Sequence, residues 1–250
     1  MWRWLLPNVL KFKNHNSQPI LLHPLPPKAE SIPSPQQFTY PFCYQPHPLC
    51  QLAAKEVIAH CYQTPSLYPH EGKMFGVLVV ETPVGLRFMA AYSGLLQGRN
   101  DLPYFVPAVF DLLNPEGHFK QEEAAITEIN HIINKVEAES QQRATALRHE
   151  RKVRSQALQD WVFHQFVMLN KKGEAKDLTQ IFQEARHKAP PSGAGECAAP
   201  KLLQQAFLHH WRPIAMAEFW WGADSADRLR GHYYPACEEK CRPILAFMLA

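Results

Sequence analysis

The sequence predicts an α/β protein of the α+β type, a three-layer core interrupted by a long helical-hairpin insertion. Three observations predict it. Two β-rich runs, residues 74–81 and 86–93, flank Thr82-Pro83-Val84-Gly85, which is a hairpin signature. Residues 190–245 alternate helix, strand and helix patterns, with cysteines at both helix starts. Between these two parts Ile126, Ile129, Ile133 and Val136 repeat at spacings of 3, 4 and 3, with charged residues in the gaps.

Composition sets the outer bounds. With 250 residues, 46% of them hydrophobic and 20% charged, the chain is that of an ordinary globular protein able to bury a sizeable core. A net charge of +3 permits a nucleic-acid partner without arguing for one. No apolar run approaches the ~18 residues of a membrane span, so no membrane association is expected. Pro7 interrupts the leucine-containing start, and no small-residue cleavage site follows. A cytoplasmic location is therefore the expectation. Six cysteines are too few for a disulfide scaffold and read instead as thiols or metal ligands.

In chain order, residues 1–37 form a proline-rich irregular arm, since residues 1–48 hold ten of the 22 prolines. Residues 38–118 form the first part of the core. The aromatic-rich run FTYPFCYQPHPLC should pack onto it, and residues 49–62 read as a helix. Cys43, His47, Cys50 and His60 are metal-capable residue types, but their irregular spacing reads as scattered or buried side chains. The hairpin runs are apolar at nearly every residue, so both faces of that hairpin should be covered.

Residues 119–189 are expected to be the insertion. One helix carries the isoleucine stripe. A second runs over residues 155–169, on Leu158, Trp161, Val162, Phe166 and Leu169. Asn170-Lys171-Lys172-Gly173 stops it, and Asp177 caps a shorter helix to about His187. Arg143, Arg148, Arg151, Lys152 and Arg154 make a basic patch that would neutralise a few phosphates of RNA; the alternative is a solvated helix surface with ion pairs.

Residues 190–250 complete the core and carry the chemistry. A glycine-rich turn delivers Glu196 and Cys197 to the start of a helix. Residues 213–221 suit a buried strand, and a helix starting near Cys237 places Cys237 and Cys241 on one face, four apart. Helix starts favour thiolates. One ligand from one helix start and two from another suits a single zinc ion with an open coordination position. The alternative for these three thiols is a set of small buried hydrophobes.

Without the insertion, the order β-β-α-β-α with cysteines at both helix starts resembles the zinc-dependent cytidine-deaminase-like fold, whose signature is H-x-E followed by P-C-x-x-C. That resemblance implies Cys197, Cys237 and Cys241 as ligands of one zinc, with water attacking a base and a glutamate carrying the proton. The chain departs from the pattern at Ala199, where the family has its glutamate, at Ala236, where it has its proline, and in the C-x-x-x-C spacing. Glu196, on the other side of the first ligand, is then the candidate catalytic carboxylate.

A second resemblance covers residues 38–248. The segments GKMFGVLVVETPVG, AAYSGLLQGRNDLPYFVPAVFDLLNPEGHFK, PPSGAGECAAPKLLQQAFLHHWRPIAMAEFWWG and YPACEEKCRPIL look like the long amino-terminal region of some bacterial RluA-type RNA pseudouridine synthases. In that family catalysis belongs to a following domain with an H-R-L-D motif, which is absent here; Asp227-Arg228-Leu229-Arg230 is not it. The resemblance implies a non-catalytic, RNA-engaging accessory module, a truncated or split form. Its partners would be ribosomal or transfer RNA and the catalytic domain, in cis or in trans. The alternative is a freestanding zinc-dependent deaminase of a base, nucleoside or nucleic acid.

Overall fold

A computed structural model describes residues 22–43, 45–64 and 71–250; the first part of the proline-rich arm lies outside the described residues. Proline keeps the rest of the arm nearly free of regular structure. His23–Pro24 (β1) touches the sheet edge, and Pro27–Ser31 makes one 3-10 turn. The aromatic run does pack on the body. Phe42 is buried, and the Pro41 carbonyl accepts from the Ala236 N–H at 2.8 Å. Pro48–Gln63 (α1) follows, with Pro48 in its first turn.

Lys73–Thr82 (β2) and Gly85–Tyr92 (β3) form the expected hairpin, closed by Thr82 Oγ1 donating to the Gly85 carbonyl at 2.8 Å. His118–Val136 (α2) and Gln141–Gln165 (α3) are the two long helices. Their side chains pair Glu137 with Arg148, Asn130 with Arg151 and Glu122 with Arg154, an order that makes them antiparallel.

Two expectations are corrected here. The helix predicted to reach Leu169 ends at Gln165, and Val167–Leu169 (β4) pairs instead with Ala175–Asp177 (β5) across the Asn170–Gly173 turn. The physical reason is Gln204, whose side chain accepts from the Leu169 N–H and donates to the Val167 carbonyl, holding that backbone extended. An apolar triplet continues a helical stripe and fits a short strand equally well. Leu178–Arg186 (α4) then starts on a capping box formed by Asp177 and Gln180.

Ala198–Leu208 (α5), Arg212–Trp221 (β6), Tyr233–Tyr234 (β7) and Cys241–Met248 (α6) complete the described chain. The second correction is at the last helix, which begins at Cys241 rather than near Cys237. Cys237 therefore lies in the turn before α6, and the two sulfurs do not share a helix face.

The main sheet has the order β1-β3-β2-β6-β7, with each pairing antiparallel. Central β2 is thus antiparallel to both neighbours, and β3 and β6 run the same way on either side of it. Alternation sorts its side chains into two cores. Phe75, Val77 and Val79 pack with Leu49, Ala53, Val57 and Cys61 of α1. Leu78 and Val80 pack with Leu202, Ala206, Ile244 and Leu245 on the opposite face. The result is helix, sheet and helices in three layers. Phe166, Met168, Ile181 and Phe182 belong to the same core as α5 and α6, so this end of the predicted insertion is built into the body.

Candidate metal centre

Cys197 owes its place to glycine. Gly195 has φ +86°, and a Cβ there would lie 2.7 Å from the Phe166 ring, so only glycine allows the loop so close to β4. Cys197 is then the N-cap residue of α5, with extended backbone. The helix itself is set against the sheet at Gly76 of β2, where a Cβ would come within 2.9 Å of Ala198 Cβ.

The other two thiols arrive together. The Cys237 carbonyl accepts from the Arg242 N–H at 3.1 Å, and its Sγ accepts from the Cys241 N–H at 3.4 Å. Cys237 thus caps the start of α6 with sulfur. Its position is fixed on the other side by the Ala236–Pro41 bond to the aromatic run.

The sulfurs of Cys197, Cys237 and Cys241 all lie within 4.8 Å of one another. Tetrahedral zinc with Zn–S bonds of ~2.3 Å places its sulfurs about 3.8 Å apart, so this donor set fits a zinc ion with little movement. Cys241 is buried, Cys197 half-buried and Cys237 exposed, which gives the cluster one solvent-facing side. Hydrogen bonding from the Cys197 thiol, joined by Cys241, holds Cys237 below the ordinary thiol range. Hydrogen bonding to Cys237 raises Cys197, and hydrogen bonding to Cys197 and then to Cys237 raises Cys241. Three thiols gathered at one point are a site that a dication would strip of protons on binding.

A carboxyl missed in the sequence stands beside this cluster. Glu218 follows Met216 on the α5 face of β6 and is 4% exposed. Its Oε1 accepts from the Ala199 N–H at 3.3 Å, at the start of the Cys197 helix. Burial raises its pKa to about 7, and the charge of Cys237 adds to that shift. The strand partner opposite it is Gly76, which leaves room for the carboxyl between strand and helix. Only its charge inside an apolar run marked it in the sequence.

The other candidate residues are placed apart. Glu196 adjoins Cys197 in the chain, but its side chain lines a separate cavity with Lys201. Arg143, Arg148, Arg151, Lys152 and Arg154 lie on α3. Arg148 pairs with Glu137, Arg154 with Glu122 and Glu150, and Arg151 Nη1 donates to Asn130. The stripe is therefore partly neutralised within the hairpin. Cys50 and Cys61 are buried against the other face of the sheet, where burial raises both thiols. Among the described residues, no helix is long and apolar enough to cross a membrane.

No protein-family model, curated protein or solved structure matches this chain.

Proposed function

We propose that this chain is a zinc-holding, RNA-engaging accessory module of RNA pseudouridine synthesis, built on a deaminase-like core. The observation that carries the reading is the convergence of Cys197, Cys237 and Cys241 within 4.8 Å. Cys197 and Cys237 come from the GAGEC and YPAC segments, the most specific parts of the resemblance to the amino-terminal region of RluA-type enzymes, and Cys241 follows four residues after Cys237. The central strand antiparallel to both neighbours, with the thiol-bearing helices on one face, supports the deaminase-like core. In this reading the three residues hold one zinc and lock α5 to α6.

A second reading is favoured by one further observation. Glu218 is a buried carboxyl with a pKa near neutrality beside the donor set, which suits a residue that takes and returns a proton. When bound there, zinc supplies Lewis-acid activation of water. Zinc-dependent deamination, with Glu218 in place of the family's helix-borne glutamate, is this alternative.

One purified sample tests both. The accessory reading expects one zinc per chain and saturable, salt-weakened binding of bulk ribosomal or transfer RNA, without ammonia release. Ammonia from cytidine or adenosine, lost in Glu218→Gln, selects the deaminase instead. A chain that retains neither zinc nor RNA defeats both readings.

A further inference from the structure

We propose that the cavity between the helical hairpin and the Glu196 loop binds an uncharged apolar small molecule, one built of hydrocarbon rings or chains without a charged head group. The cavity holds about 690 Å³, within the range of small-molecule sites. None of the three clustered cysteines lines it, so it is a second site, separate from the metal centre.

Its walls leave apolar surface uncovered. Phe119 and Ile126 of α2, Val162 of α3, and Leu112 and Leu113 of the loop before α2 all line the cavity and are only half-buried. Phe163 and Phe166 line it too and belong to the main core. Hairpin and body thus present apolar side chains to one space. A ligand that fills this space removes their surface from water, which is favourable in proportion to the area covered.

Charge decides between ligand classes. Among the described residues the ionic lining is Lys120, Glu123, Glu196 and Lys201, two of each sign. Lys120 and Glu123 pair with each other at 2.7 Å. Lys201 is 3% exposed, and its Nζ donates to the carbonyls of Tyr92 at 3.0 Å and Gly94 at 3.2 Å. The same Nζ lies 5.2 Å from the centroid of the Tyr92 ring, so two carbonyls and an aromatic face already hold this ammonium. The Glu196 charge acts on Lys201, and Glu196 Oε2 lies with Lys240 Nζ beside Gly193, where a Cβ would be 3.6 Å from one and 3.3 Å from the other. Neutral polar groups are engaged as well. Asn100 Nδ2 donates to Asp111 at 2.9 Å, and Thr127 Oγ1 donates to the Glu123 carbonyl at 2.8 Å. A fatty-acid carboxylate or a phosphate would lose its hydration here without gaining a counter-charge of its own. An uncharged apolar molecule has no such penalty.

N-Phenyl-1-naphthylamine, an uncharged dye that brightens away from water, is the probe, titrated into the full chain. The expected result is saturable one-to-one binding with a Kd below about 10 μM. 1-Anilinonaphthalene-8-sulfonate, the same ring frame carrying a sulfonate, should bind about ten-fold more weakly, because its charge is desolvated without a partner. Thr127→Trp, exposed on α2 and part of the lining, should weaken binding of the uncharged dye by a similar factor with an unchanged melting curve. The comparison of the two dyes on wild type covers the case in which that variant fails to fold. Absence of saturation with the uncharged dye, equal binding of the two dyes, or unchanged binding in folded Thr127→Trp would each overturn the site. Zinc content read on the same sample separates this outcome from failure of the metal centre.

Discussion

At Gly76 a hydrogen atom occupies the space through which α5 reaches the sheet. Any side chain there meets Ala198 Cβ and Leu202 Cδ1, at 2.9 and 3.1 Å from its first carbon. Gly76→Val should therefore cost about 2 kcal/mol of stability through overpacking, read by denaturant titration. Because Ala198 adjoins Cys197, the same variant should retain less zinc than wild type; unchanged zinc would separate the helix start from the metal. Cys237→Ser tests the centre directly and should abolish stoichiometric zinc. If free zinc stands a thousand-fold above its Kd, binding adds ~4 kcal/mol, so chelation should lower Tm by roughly 10 °C. Lys201 gives a pH signature. Burial lowers its pKa from 10.5 to about 8 in the folded chain. Between those values the unfolded chain binds the proton and the folded chain releases it, so stability rises with pH across that window. The charged form carries its burial penalty in full below pH 8. The stability of wild type relative to Lys201→Met should increase by roughly 3 kcal/mol between pH 8 and 10.5, and a flat difference would contradict the shift.

Among the elements, most of the regular periodicity and the Asp177 cap were readable, and the turn that starts α6 was not. The β2–β3 hairpin, the isoleucine stripe of α2 and the strand β6 all stand where the patterns placed them. The thiol pair shows where pattern runs out. Cys237 and Cys241 are four apart, a spacing shared by one helix face and by a turn that caps a helix start; the backbone chose the turn. Val167-Met168-Leu169 continues the apolar stripe of α3 and became a strand because Gln204, 35 residues away, bonds its backbone. Glu218 was hidden for a related reason. Its meaning comes from the facing N–H of Ala199, which no local spacing reveals. The hairpin itself is a testable element. Ile129, Ile133 and Val136 bury against α3 rather than against the sheet, while Phe163 at the base joins the main core. Replacing residues 138–156 by a short linker should leave a cooperative unfolding transition and the zinc stoichiometry in place. Loss of cooperativity would show that the far end of the hairpin supports the core.

For the whole molecule, charge and carboxylates set what the proposed RNA-engaging reading predicts. Of the basic stripe, Arg148 and Arg154 are already paired with glutamates, and among the described residues Arg143, Arg151 and Lys152 form no ion pair, Arg151 donating only to the neutral Asn130. Three such cations neutralise about three phosphates, so log K against log salt should be no steeper than about −3. Catalysis of pseudouridine formation demands more than contact. It needs a carboxylate nucleophile beside a basic residue, shielded from water. The aspartates that come into question are each otherwise engaged. Asp111 accepts from Asn100 Nδ2 and the Leu113 N–H, both at 2.9 Å. Asp224 accepts from the Arg230 N–H at 2.7 Å on an exposed loop. Asp101 does pair with Arg99 at 2.9 Å, but their side chains are 41% and 54% exposed, and hydrogen bonding from that arginine lowers its pKa. An open ion pair of this kind stays solvated and holds no base in place. The purified chain, incubated alone with bulk ribosomal and transfer RNA, should therefore form no pseudouridine above background. Adding a catalytic domain with the H-R-L-D motif, in cis or in trans, should produce it, and more of it than that domain makes by itself. Pseudouridine from the isolated chain would reverse the argument, and Asp101→Asn would then be the first variant to measure.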